Sequence, residues 1–327
     1  MFRARSIMDA ETIRMPSYAI LGIDSEDRFK DYTEARAVTS TSFNRSPYDF
    51  QITKNESLMN GFFTRLAITE INFPWVIPNI NDLTSQIRFE YQIVGNPAIT
   101  VTIRLSYGFY RPSEIASEIQ RIVRNLVLDL SGFNMRYGTD DTEFFPNQRP
   151  AFSYDNVSFP IAFLPMDSDS PAYPYPASAR QLFDLLGFSN RNTTLSIVRD
   201  GLTTYCQSVR YIDIVCNQLT YNQALKDTMS QPVARDTMCR VYLGDANTPS
   251  TISPSDPLFC PPGCAPFTIY RQFSTPKFIR WLPDQPVQGN LRFQVFDDNG
   301  VALADSVARE TDTESSNWSM TLLVSED

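Results

Sequence analysis

Between Phe62 and Asn81 the chain reads FFTRLAITEINFPWVIPNIN, and this stretch constrains the fold more than any other. It is rich in Thr, Ile and Phe, has no glycine, and carries apolar residues on both alternation phases. Leu66 and Ile68 fall on one side, and Ala67, Ile71 and Phe73 on the other. Such a strand is expected in the middle of a sheet packed on two faces. Pro74 is expected to end it, because proline donates nothing to a ladder. Phe73 and Trp75 flank that proline and are expected to be buried in the core or at an interface. Pro78–Asn81 reads as an ordered corner.

The composition of the whole chain fits many strands joined by proline-punctuated loops: 23 Phe, 15 Tyr and 23 Pro stand against 12 Gly. No apolar run approaches the roughly 18 residues that span a bilayer. The N-terminus MFRARSIMDAET lacks the apolar core of a signal peptide, so synthesis in the cytosol is expected.

The net charge of −9 is uneven, with eight acids against the single base Arg309 between Asp297 and Asp327. That region reads as a solvated face, with a cation site as the sharper alternative. No basic stripe is present to neutralise phosphates, which disfavours nucleic-acid binding. Five cysteines without a signal peptide argue against a disulfide framework. Cys260-Pro-Pro-Gly-Cys264 is a close pair on a tight turn, read as reduced or opportunistically oxidised. The chain has no histidine. That removes Ser-His-Asp and Cys-His catalysis, imidazole metal sites and the usual near-neutral base. With no nucleotide or nucleophile-elbow motif either, the expectation is no enzyme, no catalytic residue, no metal and no cofactor.

Residues 1–45 mix charge with scattered apolar residues and show no period. They read either as a disordered terminus or as an extended N-terminal arm ordered by neighbouring subunits. In the second reading Ile13, Met15, Tyr18, Ile20 and Leu21 make the contacts, while Arg3, Arg5 and Arg14 reach acidic surfaces. Strands are expected from Tyr48 onward: 48–53, 62–73, a hairpin of 86–94 with 99–105, then 157–163, 195–199, 208–215, 238–243, 267–273, 278–282, 291–296 and 318–324. A long helix starts at Pro112, with Ile115, Ile119, Ile122, Leu126 and Leu130 as its apolar stripe and Gly132 beyond its end. A shorter one covers 178–186 with a capping box from Ser178 to Gln181. Gly244–Gly263 reads as a long surface loop. Many strands, two helices and no repeated βαβ unit give an all-β class. The expected architecture is an antiparallel jelly-roll sandwich spanning 46–327, with an insertion at about 107–200 carrying both helices.

Several stretches together resemble one family. They are Asp24–Arg28, SPYDFQI at 46–52, LAITEINFPWVIPNIN at 66–81, GFYRPSEIASEI at 108–119, LFDLLGF at 182–188, YIDIVCNQLT at 211–220, and the closing FQVFDDNGVAL and WSMTLLV. Their order and spacing resemble the penton, or minor capsid, proteins of virophages, polinton-like viruses and related large DNA viruses. The resemblance implies a jelly roll with an insertion, five copies of which close an icosahedral vertex. It also implies a virion location and contacts with major capsid trimers, with a vertex fibre or another minor capsid protein as further partners. A lectin-like jelly roll that binds glycan or protein is the alternative, motivated by the aromatic loop Tyr173–Tyr175. A metal-dependent jelly-roll enzyme would need the imidazoles this chain lacks.

Overall fold

The computed structural model describes residues 18–29, 46–53, 58, 63–126, 128–138, 151–167, 180–189, 193–202, 204, 206–220, 237–243, 260–261, 263–281, 287, 289–303 and 317–326. The strands are β1 (Tyr18–Asp24), β2 (Asp49–Thr53), β3 (Arg65–Trp75), β4 (Gln86–Tyr91), β5 (Ile99–Arg104), β6 (Phe133–Gly138), β7 (Ala151–Asn156), β8 (Ile161–Leu164), β9 (Val198–Asp200), β10 (Tyr211–Val215), β11 (Thr237–Tyr242), β12 (Phe267–Gln272), β13 (Phe278–Arg280), β14 (Asn290–Asp297) and β15 (Ser319–Ser325). Among the described residues three α-helices accompany them: α1 (Pro112–Leu126), α2 (Leu182–Leu185) and α3 (Asn217–Thr220). Every strand pairing is antiparallel, and the fold is all-β.

Two sheets enclose the first core. One has the order β1-β15-β3-β12, with β13 also on β3; the other has the order β11-β10-β14-β2. Between them Phe73, Trp318, Phe50 and Phe293 pack ring against ring at 5.5–6.4 Å between centroids. The Trp318 indole Nε1 donates to the Pro47 carbonyl at 2.6 Å, so this ring loses no hydrogen bond on burial. Trp318 also exchanges backbone and side-chain hydrogen bonds with Ser25, which fixes the chain just beyond β1.

The central strand β3 departs from its sequence reading in two ways. Glu70 faces Thr321 and Ile68 faces Leu322, so Thr69 is an extra residue, a bulge. The bulge flips the phase and sends Leu66, Ile68, Ile71 and Phe73 all into the first core. Apolar residues on both phases thus reflect one buried face interrupted by a bulge. Nor does Pro74 end the strand: it lies inside β3, opposite Thr268. Pairing with β15 stops at Asn72, so the missing proline N–H has no ladder partner to disappoint on that side. Phe73 and Trp75 are both buried in the first core.

The corner that follows carries the chain from the first core to the second. Trp75 and Ile77 belong to the first, Ile80 to the second. Asn81 caps the turn by accepting from the Leu83 N–H, and the Thr84 hydroxyl donates to the Asn79 carbonyl. The second core lies among sheet β5-β4-β8, sheet β6-β7-β9, α1 and α2, and its buried residues run from Ile80 to Cys206. It therefore takes in β4 and β5, upstream of the 107–200 segment expected to form an insertion.

The long helix ends earlier than its apolar stripe suggests. It stops at Leu126, which is exposed, and Leu128–Gly132 is a 3₁₀ turn that delivers Leu130 to the second core. The buried face is Ile115, Ala116, Ile119 and Val123. The short helix starts at Leu182, with Gln181 rather than Ser178 as its cap: the Gln181 N–H donates to the Asp184 carboxylate at 3.0 Å. Ser178 lies outside the described residues. Gly187 follows at φ +71, where a Cβ would collide with the Leu202 carbonyl oxygen. Three further strands, β1, β6 and β7, have no counterpart in the sequence expectations.

Candidate contact surface

Strand β1 is the starting point. It pairs with β15 along its whole length, from Tyr18 opposite Ser325 to Asp24 opposite Ser319. Part of the stretch expected as an arm, 1–45, is thus a member of the first sheet. Its inner residue Ile23 is buried, Leu21 is half-buried, and Tyr18 and Ile20 are 76% and 67% exposed. Residues opposite one another across a sheet share a face. Ile20 faces Leu323, Leu323 faces Ala67, and Ala67 faces Phe278. An apolar row therefore runs across these four strands over roughly 15 Å at the usual strand spacing, with Ile20 and Phe278 exposed at its two ends, Leu323 half-buried and Ala67 buried between them.

The neighbouring rows are polar. Tyr18, Ser325, Arg65 and Arg280 line one side of the apolar row, with the Arg65 guanidinium 5.6 Å over the Phe278 ring. Thr321, Glu70 and Gln272 line the other, and the Tyr270 phenol hydrogen-bonds Glu70. Exposed aliphatics and aromatics framed by charge are the anatomy of a protein contact rather than of a small-molecule site.

Of the residues assigned to the arm by sequence, Tyr18, Ile20 and Leu21 come together on β1. Arg3, Arg5, Ile13, Met15 and Arg14 lie outside the described residues, as do Tyr173–Tyr175. Phe278, Leu323 and Ala67 were not assigned to a contact by sequence, because only cross-strand register brings them beside Ile20.

The chain's reactive groups are disposed differently. Burial pushes the thiols of Cys216 and Cys239 up to about 11 and about 12 and raises that of Cys206 well above the usual thiol range, so all three are held as inert thiols. Cys260 and Cys264 are joined as a disulfide across their turn, with Cα atoms 5.7 Å apart. Asp298 is buried and takes Arg180 at 3.0 Å and Arg210 at 2.7 Å on one oxygen, which ties the segment before α2 to the end of β14. Beside it, burial raises the Asp297 carboxyl to about 6, against the hydrogen bonds it accepts from the Val301 and Asn299 amides. Among the described residues no group of three or more His, Cys, Asp or Glu is placed to hold a metal ion. No helix among them is long and apolar enough to cross a membrane.

The chain is similar to mavirus penton protein. Against the crystal structure of the selenomethionine-labelled form, the TM-score is 0.45 at 9% sequence identity, with 95% of this chain and 99% of that one covered. No family model matches the chain, and no curated protein does.

Proposed function

We propose that this chain is a structural capsid subunit of the penton type. The first sandwich is a jelly roll, and the unit built on the second core is its insertion. Five copies form a ring at an icosahedral vertex of the virion, where they contact the surrounding major capsid protein. The function resides in subunit contacts and involves no turnover of a substrate.

The observation that carries this reading is the apolar row Ile20–Leu323–Ala67–Phe278 on the outer face of the first sheet, bordered by the exposed Tyr18. A sheet face that exposes Ile20 and Phe278 at the two ends of such a row, between polar rows, supports a protein neighbour. The family resemblance of the sequence motifs supplies the kind of neighbour. Negative-stain images of the purified protein test it: five-membered rings are expected, and single particles of subunit size at all concentrations would contradict it.

A further inference from the structure

The chain crosses between its two cores at two places, and the two crossings are built differently. On the way out, between Ile77 and Ile87, it threads both cores: Ile77 and Leu83 enter the first, Ile80 and Ile87 the second. Buried hydrogen bonds of Asn81 and Thr84 stiffen this corner. On the way back the chain passes from Cys206 in the second core to Val209 in the first, through Gln207 and Ser208. Cys206 stands there at φ 57, a left-handed backbone that side chains seldom adopt. Such strain persists only where the surroundings impose it, and it gathers at switch regions.

What holds the returning chain is Arg180, the residue before the α2 cap. Its guanidinium donates to the Gln207 and Ser208 carbonyls at 2.9 and 3.0 Å, and to Asp298, just beyond β14, at 3.0 Å. The same Asp298 oxygen also takes Arg210 at 2.7 Å; Arg210 is largely exposed, while Arg180 is sheltered. The other Asp298 oxygen, Oδ1, and the Gln207 side-chain nitrogen, Nε2, are buried too, and the protein offers a partner to neither. Solvent is their remaining partner, which makes the junction wet and polar. No residue belongs to both cores, and among the described residues no sheet is shared. Units joined through polar contacts rather than through one apolar core are expected to move against each other.

We propose that the unit built on the second core turns as a rigid body against the sandwich, with the corner 77–87 as pivot and Arg180 as latch. While Arg180 sits on Asp298, the returning chain is clamped with Cys206 in its strained backbone. When Arg180 leaves, Asp298 keeps Arg210, so no buried carboxylate is stranded, and Cys206 is free to relax. Hinges of this kind take up the change in a few residues at the ends of elements. The motion belongs to a single chain and goes beyond the capsid reading, on which it does not depend.

Distances between spin labels test this on the full chain, diluted with unlabelled protein so that each pair is read within one molecule. Val157→Cys with Tyr270→Cys, both at exposed positions, spans the two units, and Val94→Cys with Leu126→Cys lies within the second. The native cysteines are buried or paired and stay unlabelled. In the otherwise native chain each pair should give one narrow distance. With Arg180→Ala the spanning distribution should shift or become at least about twofold wider, while the pair within the unit stays as it was. With Arg210→Ala neither should change. If Arg180→Ala loosens the unit itself, Asp298→Asn, which keeps the shape and removes the charge, should still move the spanning pair alone. A spanning distance unchanged by Arg180→Ala would overturn the latch. So would equal widening of both pairs in both variants, or an effect of Arg210→Ala as large as that of Arg180→Ala.

Discussion

Asn79 grips the backbone of Tyr110 with both ends of its side-chain amide: its Nδ2 donates to the Tyr110 carbonyl at 2.7 Å and its Oδ1 accepts from the Tyr110 N–H at 2.9 Å. Asn79 is fully buried, and the pair pins the corner after β3 to the approach of α1. Replacing Asn79 by Ala orphans two backbone groups, each worth about 1–3 kcal/mol when buried without a partner. Asn79→Ala should therefore cost at least about 2 kcal/mol in a denaturant titration. Equal stability of Asn79→Ala and the native chain would remove this corner from the list of fold determinants.

Phe73 packs against Tyr48 and Trp318 in the middle of the first core. Truncation to Ala should destabilise the chain by about 3–5 kcal/mol. An unchanged unfolding midpoint would show that the two sheets do not close on β3 as described.

That strand also shows how far the sequence alone could carry the fold. Its composition announced a central strand, yet its phase was misread, because the bulge at Thr69 cannot be seen in one strand without its partner β15. The same holds for Pro74, whose tolerance depends on where β15 stops. Strand β1 was hidden for the opposite reason: Tyr18 and Ile20 are apolar residues facing outward, so the expected alternation of buried and exposed types is absent. The long helix was legible from Pro112 and its spacing. Its end was not, since Leu126 and Leu130 continue the pattern while only Leu130 reaches the core, through a 3₁₀ turn. The contact row could not have been found in sequence, as its four residues come from four different strands.

Asp298 holds two arginines that differ in exposure, with Arg180 at 18% and Arg210 at 65%. Arg180 also donates to the Gln207 and Ser208 carbonyls. Arg180→Ala should thus be more destabilising than Arg210→Ala, whose exposed pairing is worth no more than about 1 kcal/mol. Asp298→Ala should exceed both, by leaving the sheltered Arg180 charge uncompensated, at about 3–5 kcal/mol. Thermal unfolding of the three variants gives the order directly.

Asp297 makes stability depend on pH with a definite sign. Its folded carboxyl titrates at about 6, above the ordinary value near 3.8, so the folded state binds the proton more tightly than the unfolded chain. Its contribution is greatest below about pH 4, falls as pH rises to about 6, and is constant beyond, with an upper bound of about 3 kcal/mol. Asn in its place retains an oxygen for the Asn299 and Val301 amides but does not titrate. The stability of Asp297→Asn relative to the native chain should therefore increase between pH 4 and pH 7. A difference independent of pH over that range would mean that the carboxyl is not shifted.

The central claim, that the chain works as one subunit of a five-fold ring, is tested most directly by its mass in solution. Sedimentation equilibrium of the full-length 37.2 kDa chain over a range of concentrations should reveal a species of five subunits. A full-length chain that sediments as one subunit at every concentration would contradict the account.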